Sequence, residues 1–213
     1  MKNYRLHLIR HGISTDNEQD LLAGVGRDSA LSPRGEEALH SMKDRYSYPP
    51  IQALFVSPLK RAVQTAAILY PEHRRILIAP LAEASYGALE GTPLQQVYDQ
   101  HFFEEWMRPD DPVTPAGAET YREFVLRCSN ALGTLLEGMM KSGVYEAAAV
   151  THGGVIAAML TAHGLPEQTE DMWYADNGAG YTLNVSAAMW MRSRRAEVAA
   201  IQPAGYMEAL NRE

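Results

Sequence analysis

The feature that most constrains this chain is an alternation running through most of its length. Short apolar runs are separated by longer segments whose apolar residues recur every three or four positions. The short runs suit strands covered on both faces and the longer segments suit amphipathic helices, so their succession predicts an α/β fold. We read strands at Tyr4 to Ile9, Ala53 to Val56, Ile76 to Ala79 and Ala147 to Thr151. Each is near-continuously apolar, as expected of central, parallel strands.

Helix starts are marked by hydroxyl residues beside prolines. Ser32-Pro33 and Ser57-Pro58 each place an N-cap before a proline suited to the first helical position, and Thr92-Pro93-Leu94-Gln95 reads as a capping box. A long helix is expected from about Glu119 to Lys141, where Tyr121, Phe124, Cys128, Leu132, Leu135 and Met139 recur at helical spacing. Cys128 falls on its apolar face and is read as a packing residue. Arg108 to Gly117 carries Pro109, Pro112 and Pro115, which excludes a regular helix and predicts a surface loop after the helix begun at Thr92. Gly180 to Pro203 alternates well enough for one or two edge strands, with Arg192, Arg194 and Arg195 as a solvated basic rim. With no repeat, low-complexity tract or dividing linker, residues 1–213 read as one domain with a short helical and loop cap at about 92–118.

Composition narrows the class of partner. Nineteen Lys and Arg stand against 26 Asp and Glu, a formal net charge of −7, which does not favour a nucleic-acid or anionic-membrane surface. The one cysteine can neither close an intrachain disulfide nor supply a multi-thiolate zinc site. The start of the chain has only a short apolar run, broken by His7 and ended by Arg10, so neither a secretory signal nor a membrane span is expected. We read a cytoplasmic protein, in which a lone thiol stays reduced.

Three of the expected strands lead directly into polar residues. The first ends in Arg10-His11-Gly12, the second in Ser57-Pro58-Leu59-Lys60-Arg61, and the last in Thr151-His152-Gly153-Gly154. Open parallel sheets bind ligands along the edge where their strands end, so Arg10, His11, Arg61 and His152 can meet there. The glycines after each histidine would let a ligand approach backbone N–H groups at a helix start. Two arginines, two histidines and helix N-termini around one point suit a compact, doubly charged anion, and phosphate fits best. A metal site is not expected there: the histidines lack ligand spacing, and adjoining arginines repel a divalent cation.

On these residues the chain resembles the histidine phosphatase superfamily, also called phosphoglycerate-mutase-like. Arg10-His11-Gly12-Ile13-Ser14-Thr15-Asp16-Asn17 matches every fixed position of its R-H-G-x-[ST]-x-x-N motif. Ser57-Pro58-Leu59-Lys60-Arg61-Ala62-Val63-Gln64-Thr65-Ala66 is similar to its S-P-L-x-R-A-x-Q-T-A signature. The stretch Leu81 to Gly91 resembles the segment carrying its acid, and Val150 to Gly154 the one carrying its second histidine, with a family-like ending at Asn177-Gly178. Ile13 stands where many members carry Glu. The stretch Ala23 to Leu31 resembles the glycine-containing substrate loop with one extra residue, so either Gly24 or Gly26 takes the glycine's place. The resemblance implies a three-layer sandwich with a mostly parallel central sheet flanked by helices.

It also implies roles. His11 is the expected nucleophile, which must be unprotonated at its attacking nitrogen, a state the neighbouring arginines favour. Its other ring nitrogen needs a partner such as a backbone carbonyl to fix the tautomer. Arg10, Arg61 and His152 would hold the nonbridging oxygens, and Glu83 would protonate the leaving oxygen and later activate water. To donate that proton near neutral pH its pKa must be raised, and nearby phosphate charge or burial beside Tyr86 would raise it. Asn17 would donate to the phosphoryl group or cap its loop, and Gly24 and Gly153 would border the substrate.

The leading expectation is a phosphatase acting on a small phosphorylated metabolite through a phosphohistidine, with no cofactor. The alternatives are a phosphoglycerate mutase and a noncatalytic phospholigand or protein-binding domain. Gly91 to Glu119 is short and contains one Arg, Arg108, and no Lys, a poor clamp for a second anion. The presence of both histidines, both arginines and the acid argues against the binding domain. Phe102, Phe103, Trp106, Met107, Trp173 and Tyr174 would line a substrate mouth or serve as core or homodimer contacts.

Overall fold

The computed structural model describes residues 3–108 and 113–207. In chain order the elements are β1 (Asn3–Arg10), α1 (Thr15–Glu18), α2 (Pro33–Arg45), β2 (Ala53–Val56), α3 (Lys60–Leu69), β3 (Arg75–Leu77), α4 (Leu94–Asp99), α5 (Phe102–Trp106), α6 (Tyr121–Ser142), β4 (Glu146–Thr151), α7 (Gly153–His163), β5 (Gly164–Leu165), β6 (Gly180–Ser186), α8 (Ala187–Ser193) and β7 (Ala196–Gln202). Single 3-10 turns lie at Ala79–Leu81, Gly87–Leu89 and Glu170–Trp173.

The strands form one seven-stranded sheet in the order β3-β2-β4-β1-β6-β7-β5. Pairs β2/β3, β2/β4, β1/β4 and β5/β7 are parallel, whereas β6 runs antiparallel to β1 and β7. The expected α/β sandwich with a mostly parallel sheet is therefore observed. Alternation along the strands divides the core between two faces. Leu6, Leu8, Ala147 and Ala149 pack with α6 and α7, while Ile9, Leu54, Val56, Ala148 and Val150 pack with α2 and α3. Strands covered on both sides must be apolar at every position, which is why β1, β2 and β4 were readable as continuous runs.

The long helix α6 begins one residue after Thr120, which forms a capping box with Glu123, and its buried stripe includes Cys128. Ser32 caps α2 by accepting from the Gly35 N–H at 3.0 Å.

Several expectations change. β3 pairs only with β2 at the end of the sheet, so Ile76 and Leu77 are exposed. β6 is no edge strand: it sits between β1 and β7 with Leu183 and Val185 fully buried, and α8 separates it from β7. Arg194 and Arg195 are tied down rather than simply solvated, Arg194 by Glu137 and Arg195 by Glu167 and the Ala162 carbonyl. Neither Ser57 nor Thr92 caps a helix, since α3 starts after Leu59 and α4 after Pro93 without a side-chain cap. Pro109 and Pro112 lie outside the described residues. Among the described residues no helix is long and apolar enough to cross a membrane.

Candidate active site

β1, β2 and β4 are adjacent and parallel, so their carboxyl ends fall side by side. The next residues extend the pairing, with the His11 N–H donating to the Thr151 carbonyl at 2.9 Å and the Ser57 N–H to the Val150 carbonyl at 2.9 Å. This register brings Arg10, His11, Ser57 and His152 together along one sheet edge, and α3 adds Arg61 from its first turn.

His11 is 4% exposed and its tautomer is fixed by its own loop. Nδ1 donates to the Gly12 carbonyl at 2.6 Å, which leaves Nε2 with a lone pair that accepts from Arg61 Nε at 3.3 Å. Burial pulls the imidazole pKa well below its usual value, and the Arg61 and Arg10 charges lower it further. Asn177 Nδ2 donates to the His11 carbonyl at 2.9 Å, holding the loop from behind.

Arg61 is 1% exposed and spans the site by donating to the carbonyls of Arg27 (3.0 Å) and Gly24 (3.4 Å). A Cβ at Gly24 would lie 2.4 Å from Glu90 Oε1 and 2.5 Å from the Ala84 carbonyl, so only glycine fits between Arg61 and that loop. Arg10 donates from Nη1 to the Ala175 carbonyl at 2.8 Å and lies 5.6 Å from the Tyr174 ring centroid. Its Nε is buried with no partner among the described residues.

His152 is fully buried beside His11. Its ring stands edge-on to His11 with centroids 5.0 Å apart. Ser57 Oγ meets His152 Nε2 at 2.7 Å, and Nδ1 has no partner among the described residues. The hydroxyl expected to cap α3 is thus engaged with the second histidine.

Glu83 occupies the loop between the first two 3-10 turns. Its Oε1 accepts from the Ala84 N–H at 3.0 Å and its Oε2 from the Gly154 N–H at 3.3 Å. Burial raises its pKa, opposed by these amide hydrogen bonds and by Arg61 and Arg10. The start of α7 therefore faces a carboxylate of the chain itself, and a Cβ at Gly154 would come within 2.7 Å of Oε1. Gly12 likewise offers no spare amide, because its N–H donates to Thr65 Oγ1 at 2.9 Å. Gly153 borders the cavity, where a Cβ would lie 3.4 Å from Arg10 Nε.

Asn17 forms a capping box with Ser14 through Oδ1 and its backbone N–H, and its side chain reaches the cavity wall. The cavity measures about 440 Å³ and contains His11, Arg10, Arg61 and Glu83 at its surface. The aromatic residues serve two uses. Phe102, Trp106 and Trp173 belong to the core, while Trp106, Trp173, Phe103, Met107 and Tyr174 line the cavity. Among the described residues no group of three or more His, Cys, Asp or Glu is placed to hold a metal ion.

Three supporting sets of contacts escaped the sequence reading. Arg127 donates to the carbonyls of Pro80, Ala82 and Glu83 and pairs with Glu119, fastening the Glu83 loop to α6. Arg27 pairs with Asp16 at 2.7 Å while its carbonyl holds Arg61. Glu90 Oε1 accepts from the Tyr86 N–H at 3.1 Å. Arg127 and Arg27 reach segments 44 and 34 residues away, whereas Glu90 bonds within its own turn, and no local spacing marks any of them.

A sequence profile of the histidine phosphatase superfamily (branch 1) matches residues 6–195. The chain is 29% identical over 189 residues to fructose-2,6-bisphosphatase TIGAR B of Danio rerio, covering 84% of this chain and 66% of that protein. It spans under two thirds of the length of that relative, and less of several others. The alpha-ribazole phosphatase of Shigella flexneri superposes with a TM-score of 0.74 at 21% identity, over 92% of this chain and 95% of that one. A phosphoglycerate mutase of Bacillus anthracis does so with a TM-score of 0.72 at 18% identity, over 87% of this chain and 89% of that one. Those two likenesses establish the fold, and the profile spans the segments that carry Arg10, His11, Arg61, Glu83 and His152. By sequence and by architecture, then, the chain belongs to the histidine phosphatase superfamily.

Proposed function

We propose that the protein is a phosphatase that hydrolyses a small phosphomonoester through a phosphohistidine on His11, without a metal ion. The observation that carries this reading is the 2.6 Å hydrogen bond from His11 Nδ1 to the Gly12 carbonyl. It leaves the Nε2 lone pair beside two arginines, and a neutral nucleophile in a cationic site suits an anionic ester.

In the first half-reaction Nε2 attacks phosphorus, the bond to the ester oxygen breaks, and protonated Glu83 gives its proton to the departing alcohol. In the second, Glu83 as carboxylate takes a proton from water as the water oxygen attacks phosphorus. The P–N bond then breaks and its electron pair returns to His11. The raised pKa of Glu83 supports the first of these roles. Arg10 and Arg61 neutralise charge on the nonbridging oxygens, where losing one donor costs about 10²–10³ in rate. With Ser57 donating to His152 Nε2, the His152 proton sits on Nδ1, making a neutral donor toward the phosphoryl group. Asn17, whose side-chain N–H groups take no part in its capping box, supplies a further donor.

Hydrolysis is favoured over transfer to a second site because Arg10 and Arg61 are the sole cationic side chains among the described residues of the cavity wall. The test uses p-nitrophenyl phosphate labelled with radioactive phosphorus. In the presence of EDTA the wild-type protein should release phosphate and, quenched in mid-turnover, carry acid-labile, base-stable label on His11. The His11→Ala protein should do neither. Full activity in that variant, or activity that EDTA removes and a divalent metal restores, would overturn the reading.

A further inference from the structure

The cavity beside His11 is unevenly charged. Beyond Arg10 and Arg61 its wall holds no described Lys or Arg, yet it contains Glu170 and Asp171 from the 3-10 turn at Glu170–Trp173. Glu170 is placed by α6: the Tyr121 hydroxyl donates to its Oε2, and the Tyr121 ring lies edge-on to Trp106 with centroids 5.2 Å apart. Oε1 makes no hydrogen bond to the described residues. Burial raises the pKa of this carboxyl, the hydrogen bond from Tyr121 opposes the rise, and Glu83 adds to it. The same cavity wall carries Phe103, Trp106, Trp173 and Tyr174, the last with the Arg10 guanidinium 5.6 Å from its ring centroid.

A second phosphate or a carboxylate on the substrate would enter beside Glu170 and Asp171 with no cation on the described wall beyond Arg10 and Arg61, which the first phosphate engages. Like charges there oppose binding, whereas a neutral ring covers the aromatic wall and an N–H or O–H satisfies Oε1. We propose that Glu170 is a specificity residue, selecting phosphomonoesters of a neutral, ring-bearing alcohol that presents a hydrogen-bond donor to Oε1 and rejecting esters that carry a second anion. The proposal rests on the reading of Arg10, His11 and Arg61 as the phosphate site.

Binding separates the two ideas, since it needs no turnover. Three ligands are titrated calorimetrically into the wild-type protein: inorganic phosphate, 4-(hydroxymethyl)benzylphosphonate and 4-carboxybenzylphosphonate, the last two alike in size and both resistant to hydrolysis. The hydroxymethyl compound should bind at least about tenfold more tightly than the carboxylate. In Glu170→Gln, which keeps the shape and removes the charge, the ratio should fall to about threefold or less. Asp171→Asn provides a second charge removal that should narrow the ratio in the same direction. If inorganic phosphate binds while the wild-type protein takes both phosphonates equally or prefers the carboxylate, the specificity proposal is wrong and the phosphate site stands. A wild-type preference that persists unchanged in both variants also overturns the role of Glu170. If inorganic phosphate fails to bind, the phosphate-site reading is wrong and the proposal falls with it.

Discussion

At Glu83 two opposing effects meet on one carboxyl group. Two backbone amides and two arginines favour its charged form, and burial favours the neutral one; burial is the larger, so the pKa is raised. A proton donor matters most when the leaving group is poor. Glu83→Gln should therefore slow the phosphorylation burst on an alkyl phosphate far more than on p-nitrophenyl phosphate, whose phenolate departs with little help. The proposed second role of the same carboxyl predicts that the variant accumulates phosphohistidine on the activated substrate. Single-turnover bursts decide the matter: equal small losses on both substrates would remove Glu83 from the acid role. The 26 acidic residues of the chain contain nothing that singles out Glu83 by local pattern, and only the family-like segment around it did so.

At the scale of elements, the position of Glu83 depends on a helix that is distant in sequence. Arg127 of α6 reaches three carbonyls of the 80–83 loop, and the Thr151 hydroxyl ties the Leu81 carbonyl to the end of β4 at 2.7 Å. Arg127→Met keeps the apolar stem and removes the donors, while the capping box and buried stripe preserve α6. We expect a stability loss of about 2 kcal/mol, from charged hydrogen bonds that are partly solvent-exposed, together with at least about a tenfold drop in single-turnover rate as the loop loosens. Denaturant titration and burst kinetics read the two effects. A rate unchanged beside a lowered midpoint would make Arg127 a structural residue only. The same latch shows where sequence reading stops. β1, β2, β4 and α6 were legible because burial imposes a pattern on consecutive residues. The inner place of β6, the helix α8 and the exposure of β3 follow from strand order, which no local pattern encodes. His11, Arg10 and Arg61 were legible as residues at strand ends and in a motif. The engagement of Ser57 with His152 and of Arg127 with the Glu83 loop joins segments 95 and 44 or more residues apart, so composition and periodicity carry no trace of it.

For the molecule as a whole, buried ionisable groups within the site and beyond it have effects on stability that differ in sign. His7, His11, His152 and His163 have pKa values lowered from 6.5, chiefly by burial. As the pH falls through 6.5 the unfolded chain takes up protons that the native chain refuses. The stability these groups contribute is thus complete above that value and is lost on acidification toward their native pKa values, at most about 1.4 kcal/mol per pH unit for each proton. Glu83 and Glu170 are raised above 4.5, so the native chain keeps protons there that the unfolded chain releases, which opposes the loss. Four imidazoles against two carboxyls predict a urea midpoint that falls between about pH 6.5 and 5, and a flat or rising midpoint would contradict it. Arg61 poses the sharper question, because it is a buried cation held by carbonyls and His11, with no ion pair to a described carboxylate. Removing one member of a buried ion pair costs about 3–5 kcal/mol, but removing a buried charge that has no such partner relieves desolvation instead. Arg61→Met should leave ligand-free stability within about 1 kcal/mol of wild type, or raise it. Phosphate should restore the balance in the wild-type protein, adding about 2.7 kcal/mol at a hundred times its dissociation constant, and this gain should vanish in the variant. Thermal melts with and without inorganic phosphate measure both terms. A variant that unfolds without ligand, or that keeps the phosphate-dependent rise, would show that Arg61 serves the fold rather than the anion.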